Sequence, residues 1–207
     1  NLVDDAKALE SAGCTQMILR EPHRTRWEIE EQLPALKTLL PGLILHATNV
    51  NAWRFAELYD TGLHLPSHVD PKSWRDRFAG LLGISCHGLE EVMAAEKAGL
   101  DYAVLSPIFS PLSKTDSRPP IGPQQAAGIQ KATCLPIFGL GGMHPKKVAT
   151  CRDLFGVASL GHLFGTRTNR TRQKARAKAF LDRLQKQPQS VGQTKTSCYS
   201  RRDQGET

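Results

Sequence analysis

LLGISCHGLEEVMAAEKAGLDYAVLS, residues 81–106, sets two short apolar runs on either side of an amphipathic segment. LLGISC (81–86) and DYAVLS (101–106) have strand length and near-continuous hydrophobicity, the pattern of strands buried on both faces. Between them Leu89, Val92, Met93 and Glu96 fall three or four residues apart, and Gly99 stands where a helix C-cap belongs. A strand, a helix and a strand in this order join parallel strands by a crossover.

The same alternation extends in both directions. Upstream, Val3, Ala6 and Leu9 have helical spacing within 3–12, and CTQMILR (14–20) reads as a strand. Thr25-Arg26-Trp27-Glu28 has the capping-box pattern; Ile29, Leu33, Leu36 and Leu40 continue it as a helical stripe that Pro34 is expected to kink. LILHA (43–47) and GLHL (62–65) are strands, with helices over 51–59 and 71–79. Downstream, 123–132 reads as a helix, LPIFGL (135–140) as a strand, 145–154 as a helix, GVASLG (156–161) as a strand and 168–187 as a final helix.

This predicts an α/β fold with seven parallel strands. A helix ahead of the first strand implies a strand missing before Asn1, and a chain opening on Asn reads as processed or as a piece of something longer. Seven strands plus one make a (β/α)8 TIM barrel, incomplete at its N-terminus. A doubly wound sheet is the competing arrangement, but no G-x-G-x-x-G follows a strand, against a dinucleotide-binding version. The exposed edges of an incomplete barrel point to a homo-oligomer.

The net charge of +7 divides unevenly. From Phe164 to Thr207 there are eleven Lys and Arg against three Asp and Glu, a balance of +8, which leaves −1 for the rest. The basic character therefore belongs to a C-terminal helix and tail, and it argues against nucleic acid as a partner of the body. The domains expected are a barrel over 1–187 and a disordered basic tail over 188–207. Five scattered cysteines without a C-x-x-C pair speak against zinc and against a disulfide framework. No apolar run is long enough for a membrane span, and a cytoplasmic location is expected.

In such a barrel the site lies at the C-terminal strand ends. Arg20 and Glu21, His46, Ser67 and His68, and Ser85 and His87 fall there, with Ser106 leading into a polar loop that carries Lys114. Gly141-Gly142 and Gly161 follow the last two strands, where backbone N–H groups can take a phosphate. The plainer reading is that these glycines permit tight turns. Lys114 could neutralise an anion or be an ordinary solvated lysine; Arg20 could hold the same anion or pair with Glu21. His64, inside a strand, reads as a structural histidine. No acid is set to complete a nucleophilic triad around Ser85 and His87.

Five stretches carry a resemblance: GLHLP (62–66), GISCHGLEEVMAAEKAGLDYAVLSPIF (83–109), the loop ending in PPIG (119–122), LPIFGLGGM (135–143) and GVASLG (156–161). In order and spacing the chain resembles the thiamin phosphate synthase/TenI superfamily over about residues 2–165. The resemblance implies a transferase of thiamin biosynthesis. Such an enzyme joins hydroxymethylpyrimidine pyrophosphate to thiazole phosphate and releases pyrophosphate. Carried over by motif, Lys114, Arg20 and Ser85 are the catalytic positions. Ser113, Gly141, Gly142, Leu160 and Gly161 are the substrate and phosphate positions.

The family cofactor is magnesium, but its acidic ligand positions fall on Ala47 and Val69, so no metal ligand is assigned. Asp70 would serve only if the alignment slipped by one residue. Pro22 replaces a family lysine. TenI-like thiazole tautomerases also lack these acids, and their catalytic histidine falls on Pro107, with His87 and His46 as substitutes. The alternatives are thus a tautomerase, or a non-catalytic module binding phosphorylated ligands, of the kind fused behind a Nudix hydrolase.

Overall fold

The structure, a computed structural model, describes residues 2–110, 118–164 and 169–186. Ser113, Lys114 and the tail over 188–207 lie outside the described residues. The strands are β1 (Gln16–Leu19), β2 (Gly42–His46), β3 (Gly62–Leu65), β4 (Leu82–Cys86), β5 (Tyr102–Leu105), β6 (Ile137–Gly139) and β7 (Gly156–Val157). They form one sheet in sequence order, with every neighbouring pair parallel. The result is an incomplete (β/α) barrel with β1 and β7 at its edges.

The helices are α1 (Leu2–Glu10), α2 (Arg26–Glu30), α3 (Leu33–Leu39), α4 (Ala52–Leu58), α5 (Pro71–Arg75), α6 (Leu89–Lys97), α7 (Pro123–Ala132), α8 (Gly161–Phe164) and α9 (Arg170–Gln185). No helix among the described residues is long and apolar enough to cross a membrane.

Strand alternation sorts the side chains into two layers. Leu43 and Leu45, Leu63 and Leu65, Leu82 and Ile84, and Ala103 and Leu105 face outward into a core shared with the helices. Ile29, Leu33, Leu36 and Leu40 meet them from α2, α3 and the α3 C-cap, each fully buried, a burial that stabilises by roughly 1.5–3 kcal/mol per side chain. The alternate positions face the barrel interior, where Ile44, Tyr102 and Val104 form a second, smaller cluster with Ile18, Phe138 and Leu140.

Two expectations about helices are corrected. Pro34 does not kink one long helix: α2 stops at Glu30 and α3 starts at Leu33, with Pro34 in its first turn, where its missing N–H costs nothing. The α-helix expected over 145–154 is a 3-10 helix, Pro145–Cys151, whose first turn is capped by His144 Nδ1 accepting from the Lys146 N–H. The capping box opening α2 is as read, with Thr25 and Glu28 exchanging both bonds. α9 packs on α1 and on the 3-10 helix. An exposed Asp4–Arg170 ion pair at 3.2 Å adds to the α1 contact.

Candidate functional site

In the barrel interior, three neighbouring strands contribute one connected polar group, which runs from Tyr102 at the start of β5 to Ser85 near the end of β4. His64 on β3 is 2% exposed and Tyr102 on β5 is 6% exposed. His64 Nδ1 lies 3.0 Å from Tyr102 Oη, and its Nε2 lies 3.0 Å from Ser85 Oγ on β4. The His64 and Tyr102 rings are stacked, with centroids 5.6 Å apart. Burial holds the His64 imidazole far below its ordinary range, at about 3, with His46 adding to the effect, so the ring is neutral. The Tyr102 phenol is pushed upward by burial and by Asp101 and keeps its proton. Ser85 is only half-buried, so the group ends at a hydroxyl that a ligand can reach. His64 is indeed a satisfied histidine, and the residue it serves is Ser85.

His46, at the end of β2, sits beside this group with its ring 5.4 Å from that of His64. The Thr48 N–H donates to its Nδ1 at 3.2 Å, and Thr48 Oγ1 lies 2.8 Å from the same nitrogen. An amide N–H can only donate, so Nδ1 is the acceptor and the neutral ring carries its proton on Nε2. Burial and the nearby Arg20 guanidinium lower the His46 pKa to about 4. Arg20 follows β1, is exposed and has no carboxylate partner among the described residues. Glu21 pairs instead with Arg24 at 3.2 Å, which removes Glu21 as the partner of Arg20.

Asn49 had no sequence signal. Its Oδ1 accepts from the Glu21 N–H at 2.7 Å and its Nδ2 donates to the Leu19 carbonyl at 2.7 Å. It is 4% exposed and fixes the direction in which the chain, and Arg20 with it, leaves β1.

On the opposite side, Gly141 and Gly142 have φ of 97° and 58°. A Cβ on Gly141 would stand 2.8 Å from Pro107 Cα, and one on Gly142 would stand 2.5 Å from the Ser110 carbonyl oxygen. These glycines let the loop after β6 lie directly against the segment after β5, where the Phe109 N–H donates to Gly141 O at 3.1 Å. The tight-turn reading holds, and the Gly141 and Gly142 amides make no hydrogen bond within the described residues. After β7, Leu160 is exposed and Gly161 opens the four-residue α8. Ser159, beside them, has a buried hydroxyl with no hydrogen-bond partner among the described residues; the sequence reading did not single it out.

Magnesium does not fit the described donors. The positions matched to its acidic ligands are the apolar Ala47 and Val69, both packed against the core. Asp70 is engaged as the N-cap of α5, accepting from the Lys72 and Ser73 N–H groups at 3.2 and 3.1 Å. What faces the strand ends is Arg20 and a neutral His46, a set that attracts anions. No group of three His, Cys, Asp or Glu is placed to share a metal ion among the described residues. His87 donates from Nδ1 to the Ser106 carbonyl at 2.7 Å, and Glu91 takes its backbone N–H, so no carboxylate orients the ring.

Known proteins give the arrangement a context. A family model described as thiamine monophosphate synthase matches residues 1–163. A thiamine-phosphate synthase of Methanosarcina barkeri is 29% identical over 146 residues, 69% of this chain and 66% of that protein. The thiamine biosynthesis bifunctional protein ThiM/ThiE of Symbiobacterium thermophilum is 30% identical over 192 residues, 88% of this chain and 38% of that protein. The matched region thus spans just under two thirds of the first relative and well under half of the second. Among solved structures, a thiamine phosphate pyrophosphorylase from Pyrococcus furiosus superposes with a TM-score of 0.77 at 18% identity, covering 89% of this chain and 90% of that one. At that identity the likeness is one of fold.

Proposed function

Because the chain belongs to the thiamine monophosphate synthase family, matched over residues 1–163, we propose that it joins hydroxymethylpyrimidine pyrophosphate to thiazole phosphate with release of pyrophosphate. The observation that carries this reading is the set of donors at the strand ends: the Arg20 guanidinium, which has no ion-pair partner among the described residues, the His46 Nε2–H fixed by Thr48, and the half-buried Ser85 hydroxyl. In the reaction, the bond between the pyrimidine methylene and the pyrophosphate oxygen breaks, and its electron pair goes to that oxygen. The thiazole nitrogen then supplies the lone pair for the new C–N bond. Negative charge grows on the leaving pyrophosphate, and positively charged or N–H and O–H groups fixed around it lower the barrier. Arg20 supplies charge and a planar fork of donors, with Ser85 and Lys114 as the further catalytic groups. Ser113, Gly141, Gly142, Leu160 and Gly161 are assigned to the phosphorylated substrates. The Gly141 and Gly142 amides suit the thiazole phosphate.

A second reading has its own support. Ala47 and Val69 occupy the family's acidic positions, which favours a module that binds phosphorylated ligands without turnover. The test measures pyrophosphate release from the two thiamin precursors, with and without magnesium. Release at a rate well above the uncatalysed reaction establishes the synthase. Binding of thiazole phosphate with no release establishes the module.

A further inference from the structure

We propose that Tyr102 and His64 are positioning residues that hold the Ser85 hydroxyl as a hydrogen-bond donor toward an anionic ligand at the strand ends. The inference rests on the reading of that region as an anion site.

The direction of the relay follows from what each group can do. Tyr102 Oη has one hydrogen-bond partner within the described residues, His64 Nδ1. Its O–H is buried, and a buried O–H without an acceptor bears its full desolvation cost. The phenol therefore donates to Nδ1, which must carry a lone pair. A neutral imidazole has one N–H, so the proton sits on Nε2. Nε2 faces Ser85 Oγ at 3.0 Å and donates to it. Ser85 has no other partner within the described residues. Its own proton cannot return to a nitrogen that already bears one. It points away from His64, on the one member of the group that is half-buried rather than buried. The opposite tautomer would strand the Tyr102 proton in a closed interior and turn Ser85 into a donor to His64, lost to any ligand.

The backbone is fitted to this relay. Gly83 separates the two rings on the sheet, paired with His64 on one side and Tyr102 on the other. Only a residue without a side chain lets the phenol cross β4 to reach β3. Neither Tyr102 nor His64 touches the ligand in this scheme; both act through Ser85.

The test uses the full 207-residue chain. Long-range proton–nitrogen correlations of the labelled protein near neutral pH read the His64 tautomer directly and need no variant. The expected pattern is an unprotonated Nδ1 and a protonated Nε2; a proton on Nδ1 overturns the relay. Calorimetry with inorganic pyrophosphate then compares Ser85→Ala, Tyr102→Phe and the double variant. Each single change should weaken binding by about tenfold, the scale of one hydrogen bond to a charged group. The double variant should match Ser85→Ala alone, because the phenol acts only through that hydroxyl. Full affinity in a folded Tyr102→Phe, or losses that add, would overturn the proposal. If the unmodified chain takes up no pyrophosphate, the anion reading falls and Ser85's ligand role with it. The tautomer measurement then still decides whether the relay exists.

Discussion

The ring of Tyr102 lies directly over the backbone of Gly83: a Cβ built on Gly83 would stand 2.0 Å from Tyr102 Cζ and 2.2 and 2.4 Å from its Cε atoms. The two residues are register partners on β5 and β4, and Gly83 is the partner of His64 on β3. A glycine in a strand interior is usually a cost. Here it opens the gap through which two buried aromatic groups meet.

Gly83→Ala should therefore do more than its one methyl suggests. The phenol must leave His64 or the strands must part, and overpacking of this kind costs roughly 1–3 kcal/mol. The urea midpoint should fall, while Gly88→Ala, where an added Cβ meets nothing within 4 Å, should cost only the N-cap preference of α6, about 1 kcal/mol or less. A loss at Gly83 no larger than that at Gly88 would remove the packing argument.

The neutral histidines make stability depend on pH. Burial lowers His46 to about 4 and His64 to about 3 from an ordinary 6.5. As pH falls below 6.5, the unfolded chain takes up these protons and the folded chain does not. The stability they contribute is fully present above pH 6.5 and is lost progressively down to about 4 and 3. The groups facing this pair are Arg20 toward His46, and Ser85 and Tyr102 toward His64. Each buried histidine adds a slope of up to about 1.4 kcal/mol per pH unit in that window. Denaturant unfolding from pH 7 to pH 5 should show the decline, and His64→Gln should flatten it. An unchanged slope would mean that His64 is solvated in the folded chain.

Asp70 tests whether the metal positions have been read correctly. Both its carboxylate oxygens accept N–H groups of α5, so Asp70→Ala should remove an N-cap worth about 1 kcal/mol. Pyrophosphate affinity, measured with and without magnesium, should not move. A magnesium-dependent loss of affinity would make Asp70 a ligand and show that its cap is secondary.

The strands and most helices were legible because each rests on a pattern within a few residues, and the parallel order followed from their alternation. Leu63 and Leu65 against His64 already declare which face of β3 meets the helices. The site was legible only in part. Arg20 and Ser85 could be picked as strand-end residues, yet the bond from Tyr102 through His64 to Ser85 joins three strands, and its longest step spans 38 positions. Local periodicity has no access to a contact of that kind. Asn49 was missed for the same reason: its partners, Leu19 and Glu21, lie on the preceding strand's exit. Pro34 was seen correctly as a disruption but assigned the wrong effect, since the proline starts a second helix instead of bending the first.

Arg20 offers a prediction that links charge at the rim to titration inside. Its guanidinium is exposed and has no ion-pair partner among the described residues, so Arg20→Ala should leave the thermal midpoint nearly unchanged. Two other quantities should move. Pyrophosphate affinity should fall by about tenfold or more, because a charged, forked donor is lost, and Arg20→Lys should recover it only in part, since an ammonium is a point charge. At the same time the His46 pKa should rise from about 4, because the repulsion from Arg20 is one of the two causes that hold it down. It should stay below 6.5, since burial, the larger cause, remains. A histidine titration followed by NMR reads that shift without any ligand. An affinity loss with a fixed His46 pKa would place Arg20 near the ligand but away from His46. A shifted pKa with full affinity would keep the arginine at the strand ends and take it out of the anion site.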